Sequence, residues 1–93
     1  MAVLALRLVI IGRVQGVGFR AWTCRQARRR AVRGWVRNRG DGSVEALLIG
    51  DSDAVEAMLE TCASGPPLAE VRELRRHPAE DDGSAGFHER PTV

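Results

Sequence analysis

The sequence predicts an α+β sandwich, one antiparallel sheet carrying two helices on one face, and three observations predict it. Apolar runs of strand length alternate with segments of helical periodicity in the order β-α-β-β-α-β. Glycines, a Pro-Pro pair and an Asp-Gly dipeptide punctuate them. The chain has 93 residues, 44% hydrophobic and 28% charged, which suits one small layered domain spanning residues 1–93.

Leu4 to Arg13 is rich in Leu, Val and Ile, closes at Gly12 and reads as a well-buried strand. Val14 to Arg20 carries Gly16 and Gly18 and reads as a loop. Ala21 to Ala31 contains good helix formers without Gly or Pro, and its inward stripe is Phe19, Thr23 and Ala27 with Trp22 at the edge. A second strand runs from Gly34 through Asn38. Arg39 to Gly42 forms a hairpin turn, because Asp-Gly tolerates positive φ, and Ser43 to Ile49 returns as a strand that Gly50 ends. Ser52 or Asp53 caps a second helix, with Glu56 placed for a capping box. Val55, Met58, Leu59 and Cys62 share one face of it, and Gly65-Pro66-Pro67 stops it. Leu68 to His77 reads as a strand with Val71 inward, Asp81 to Ala85 as a loop, and Gly86 to Arg90 as a short fifth strand around Phe87, with Pro91 marking an edge. This order is the split βαβ arrangement of the ferredoxin-like fold, with Leu47 and Ile49 on the sheet face away from the helices.

Composition narrows the function. The apolar opening is broken by Arg7, is far shorter than the roughly 20 residues of a membrane span and lacks a cleavage site, so the expectation is a cytoplasmic protein. Cys24 and Cys62 are too few for a disulfide framework or a zinc site. They read as free thiols, a bridge requiring the two helices to lie side by side. Residues 1–40 hold ten Arg and no acid (+10), and residues 41–93 hold four Arg and twelve acids (−8), giving the net +2. All fourteen basic residues are Arg, so no Lys can form a Schiff base. The basic half suggests anionic ligands, while Arg25, Arg28, Arg29 and Arg33 read more simply as a solvated helix face paired with acids. Aromatic content of 4% with no Tyr argues against base stacking on RNA, and the first loop lacks the cysteine pair of a metal chaperone. His77 and His88 receive no role, and no cluster of carboxylates or histidines predicts a metal or other cofactor.

Two segments carry chemistry. The first, Gly12-Arg13-Val14-Gln15-Gly16-Val17-Gly18-Phe19-Arg20, lies between strand and helix. A glycine loop there can turn backbone N–H groups inward as an anion nest, and the following helix start adds unpaired donors and a positive dipole end. Arg20 projects beside it, its planar fork matched to two phosphate oxygens. The second, Gly34 to Asn38, ends at the hairpin. A strand-end Asn is commonly a turn residue, yet this topology can bring Asn38 near the nest, and Arg37 and Arg39 can widen its positive field. Asp41 serves the hairpin, and Trp35 belongs to the core.

Together the two segments closely resemble the acylphosphatase family. Gly12 to Arg20 match its Gly-x-Val-Gln-Gly-Val-x-Phe-Arg signature at every fixed position. Gly34, Trp35, Val36, Asn38, Gly42 and Val44 match its Gly-aromatic-Val-x-Asn-x-x-x-Gly-x-Val signature. Gly65-Pro66-Pro67 looks like the family's helix-ending segment, and the resemblance runs from about Leu8 to Phe87. It implies the ferredoxin-like fold and hydrolysis of acyl phosphates to a carboxylate and inorganic phosphate. It also implies that Arg20 and the backbone N–H groups of Gln15, Gly16, Val17, Gly18 and Phe19 bind the phosphoryl group while Asn38 orients the attacking water. A carboxylate leaves readily, so positioning and fixed charge suffice without metal or strong acid. The expected partners are a small acyl phosphate substrate and inorganic phosphate or another anion in the loop, on a monomer with no membrane or nucleic-acid partner. The chain departs from the family at Arg30 and Ala31, where Leu-Gly or Ile-Gly is usual, and in a tail, His88 to Val93, without an aromatic ending. Ala31 in a left-handed cap costs about 1 kcal/mol, and Arg30 must reach water or an acid such as Glu56 or Glu60. The alternatives are a phosphate-binding accessory module, as found fused to larger carbamoyl-transferring proteins, and nucleic-acid binding through the Arg-rich helix. The Met1 start and full set of elements favour a free-standing enzyme.

Overall fold

A computed structural model describes residues 2–93. The elements are β1 (Val3–Arg13), α1 (Phe19–Arg29), β2 (Arg33–Asn38), β3 (Val44–Asp51), α2 (Ser52–Ser64), β4 (Glu70–Pro78) and β5 (Phe87–Glu89). They form one sheet of order β4-β1-β3-β2-β5. β1, β2, β3 and β4 pair antiparallel, and β5 adds to β2 in parallel, so the fifth strand makes the sheet mixed. The register aligns Ile10, Val44 and Asn38 in one row across three strands. The end of β1, where the glycine loop begins, therefore lies one strand away from Asn38.

Alternation sorts the sheet's two faces. Leu6, Leu8, Ile10, Val36, Val44 and Leu48 point toward the helices and are buried with Phe87. α1 contributes Phe19, Cys24 and Ala27, and α2 contributes Val55, Met58 and Cys62. Phe19 meets Trp22 edge to face, with ring centroids 5.4 Å apart. Val71 packs half-buried against this core. The β1–β4 register shifts between Ile11 and Gly12, where a Cβ would run into the Glu70 carbonyl.

The outer face has its own cluster of Trp35, Leu47 and Ile49. The Arg37 and Arg90 guanidiniums lie 4.6 and 5.0 Å from the Trp35 ring centroid, and its indole N–H donates to Asp82 at 3.2 Å. Beside it the nearly buried Glu45 accepts from Arg37 at 2.7 Å and Arg7 at 3.1 Å. Burial alone would raise the Glu45 carboxyl, but these two guanidiniums outweigh it and hold it below its ordinary value.

Several local expectations change. α1 begins at Phe19 rather than Ala21, so Arg20 lies inside its first turn. α2 begins at Ser52 with Asp51 as N-cap and no side-chain capping bond. The expected capping box does not form, because the N-cap is Asp51 and the third helical position is Ala54 rather than Glu56, whose carboxylate accepts from Arg76 on β4 at 3.0 Å. Arg30 finds neither Glu56 nor Glu60. Its Nη1 donates to the side chain and carbonyl of Gln26 one turn back, at 2.7 and 3.1 Å. Arg28 meets no acid either and donates twice to the Phe87 carbonyl, whereas Arg33, on β2, pairs with Asp81. Ala31 does adopt the left-handed conformation, at φ 55°. Both cysteines are free and buried. Burial raises the Cys24 thiol and pushes the Cys62 thiol up to about 12. Among the described residues no helix is long and apolar enough to cross a membrane.

Candidate active site

The loop leaving β1 turns back through two glycines. Gly16 has φ 74° and Gly18 φ 78°, both in the left-handed region. A Cβ at either would touch nothing, so it is the backbone conformation, not space, that calls for glycine. Gly18 is the N-cap of α1. No side chain caps this end and no acid stands in its first turn. The first N–H groups of a helix lack intrahelical partners, so this start keeps its donors and its positive dipole end.

Gln15 fixes the loop to the hairpin. Its amide N–H₂ donates to the Arg39 carbonyl at 2.8 Å and the Ser43 carbonyl at 2.9 Å. The hairpin is closed by Asp41, which accepts from the Ser43 N–H at 2.9 Å and from its hydroxyl. The Ser43 hydroxyl bond, followed by its backbone bond, holds the Asp41 carboxyl below its ordinary value. Asn38 ends β2 just before this turn, and its own carbonyl accepts from the Val93 N–H at 3.1 Å.

These pieces enclose a cavity of about 140 Å³ lined by Val14, Gly16, Gly18, Phe19, Arg20, Ala21, Asn38 and Glu89. Arg20 and Asn38, predicted to work together, therefore face one space. Of the predicted loop residues, Gly16, Gly18 and Phe19 reach its wall. Gln15 is turned to the hairpin, and Val17 packs against the core. Arg37 does not widen the positive field, because alternation puts it on the opposite face beside Glu45. Arg39 stays near the hairpin, 3.8 Å from Asp41. His88 is exposed and bonded to the Ala85 carbonyl at 3.0 Å, away from the cavity wall.

Glu89 was not foreseen. Its carboxylate lies 3.8 Å from Arg20 Nε. The available signal was alternation, since Phe87 two residues earlier is fully buried toward the helices. What placed it beside β2 was a three-residue parallel pairing that no sequence pattern announces.

The arrangement offers an anion a helix start, a glycine loop and a guanidinium, with an amide across the cavity. Relatives agree with that chemistry. Residues 6–89 match the acylphosphatase family model. The chain is 52% identical over 89 residues to an acylphosphatase of Acidiphilium cryptum, covering 96% of this chain and 98% of the relative. The crystal structure of acylphosphatase from Bacillus subtilis has the same fold with a TM-score of 0.90 at 35% identity, covering 94% of this chain and 98% of that one. Thermococcus kodakarensis HypF is similar with a TM-score of 0.83 at 31% identity over 94% of this chain, but only 12% of the larger protein is covered. The chain belongs to the acylphosphatase family, whose members hydrolyse acyl phosphates, and it is a hydrolase of that kind.

Proposed function

We propose that the cavity at the start of α1 is where the acyl phosphate is cleaved, with Arg20 and Asn38 as the catalytic side chains. The observation that carries this reading is that one cavity is lined at once by Gly16, Gly18, Arg20 and Asn38. The phosphoryl group sits against the N–H groups of residues 15–19 and the Arg20 fork, which stabilise its three oxygens as the bond to the carboxylate loosens. Asn38 has no titratable group at neutral pH, so it holds the attacking water in line by its amide. The water's proton passes to a phosphoryl oxygen. The carboxylate leaves without protonation, and inorganic phosphate remains as the anion in the loop. The positive charge comes from the chain itself, so no metal takes part. The protein acts as a monomer in the cytoplasm, with residues 1–93 as one working domain.

Benzoyl phosphate hydrolysis, followed by ultraviolet absorbance with a chelator present, tests this. Wild type turns over unimpaired. Arg20→Ala loses roughly 10³-fold or more in kcat/KM, the scale of a phosphoryl-binding arginine. Asn38→Ala loses about 10²- to 10³-fold, mostly in kcat. Folded variants that keep near-normal rates, or a wild type silenced by the chelator, contradict the proposal. The HypF similarity supports one second reading, a phosphate-binding accessory module, which predicts a folded wild type that binds phosphate without turnover.

A further inference from the structure

We propose, resting on that placement of the phosphoryl group at Arg20, that Glu89 sets the anion affinity of the site: its carboxylate competes with phosphoryl oxygens for Arg20 and weakens the binding of inorganic phosphate and similar anions. The fold delivers this carboxylate firmly. Phe87 is fully buried, and its carbonyl accepts from Arg28 Nε at 3.1 Å and Nη2 at 2.7 Å. Residues 87–89 pair with residues 34–36, and Glu89 is level with Val36, two residues before Asn38 on the same strand. Alternation puts Glu89 on the helix side with Phe87, where it meets the start of α1.

Glu89 is the one acid on a cavity wall otherwise made of glycines, apolar groups, Arg20 and Asn38. It stands 3.8 Å from Arg20 Nε, and both side chains are well exposed, at 47% and 39%. An exposed pair at that separation adds little to stability. Among the described residues no other acceptor engages the Arg20 guanidinium, so the carboxylate is the group an incoming anion has to displace. A phosphate carries between one and two negative charges at neutral pH, two in its dianionic form, and each is repelled by a carboxylate a few ångströms away. Repulsion of the dianion therefore exceeds the small loss from breaking the pair. The same penalty falls on bound substrate and transition state, because phosphoryl transfer does not change their total charge. Such uniform effects move KM and leave kcat alone. Glu89 thus hastens release of the phosphate product and keeps ambient anions from filling the loop.

The test is Glu89→Gln, which keeps shape and removes charge, with Glu89→Ser as a second neutral variant and a thermal melt to confirm folding. Steady-state hydrolysis of benzoyl phosphate is measured with inorganic phosphate or sulfate as competitor. Both variants should lower the phosphate inhibition constant about three- to tenfold and KM by a similar factor, with kcat within about twofold. The gap from wild type should narrow as salt rises from ~0.01 to ~0.5 M, because exposed charges are screened. Glu60→Gln, the same charge change on an exposed position of α2, should leave the inhibition constant unmoved. An unchanged or weaker phosphate affinity, or a fall in kcat alone, overturns the proposal and makes Glu89 a prop for Arg20. If phosphate inhibits Arg20→Ala as strongly as wild type, the placement of the phosphoryl group itself is wrong, and this inference falls with it.

Discussion

The two helices begin in opposite ways. α1 starts at a left-handed Gly18, has no acid in its first turn and carries Arg20 there. α2 starts at Asp51 and carries Asp53 in its first turn, so its own carboxylates offset its dipole. Their ends differ too. α1 has Arg28 and Arg29 in its last turn, favourable against the negative end, while α2 has no basic residue there and stops at Gly65. α1 is thus electrostatically optimised at its far end and left open at the end that faces the cavity. An acid in the first turn contributes about 0.3–1 kcal/mol, and a side-chain N-cap about 1 kcal/mol. The open start forgoes both and keeps its donors and positive charge for the substrate.

Giving α1 the acid that α2 has breaks the contrast most strongly. Ala21 is exposed and lines the cavity. Ala21→Asp should raise thermal stability by a few tenths of a kcal/mol while lowering kcat/KM roughly 10- to 100-fold through repulsion of the phosphoryl group. A melt and a benzoyl phosphate assay on one sample read both. Equal activity in this variant means that the helix start plays no electrostatic part.

Gly18→Ala is smaller. A side chain in the left-handed region costs about 1–2 kcal/mol, and because Gly18 ends the loop the strain should lower activity as well as melting temperature. Ala31→Gly, at the far end of α1, is the smallest and has the opposite sign. Relieving φ 55° should stabilise the protein by about 0.5–1 kcal/mol with no change in kcat/KM. Loss of activity in that variant would show that the two ends of the helix are coupled.

Much of this was legible in the sequence because local rules agreed with the fold. The Asp-Gly hairpin, the glycine loop before a helix and the apolar stripe of Val55, Met58 and Cys62 each state a backbone preference that packing then reinforced. Asn38 and Arg20 could be singled out by motif, and the Ile10–Val44–Asn38 row explains why they lie near each other. Other features depended on long-range choices. Glu56 fits a capping box with Asp53 by spacing, but the helix takes Asp51 as its N-cap and Glu56 pairs with Arg76 from β4. Gln15 was read for its backbone N–H alone, and the motif did not announce that its side chain bonds two hairpin carbonyls more than twenty residues away. Glu89 entered through the parallel pairing of β5, which is too short to carry a periodicity. Arg37 was readable and misassigned, since strict alternation from Asn38 already sends it to the outer face.

The most direct test of the open helix start is to titrate inorganic phosphate into the protein and follow backbone amide chemical shifts. Saturable shifts are expected at residues 15–20 and at Asn38, none at residues 52–55 of α2, with the effect lost in Arg20→Ala. Shifts that centre on the start of α2, or that survive unchanged in Arg20→Ala, would contradict it.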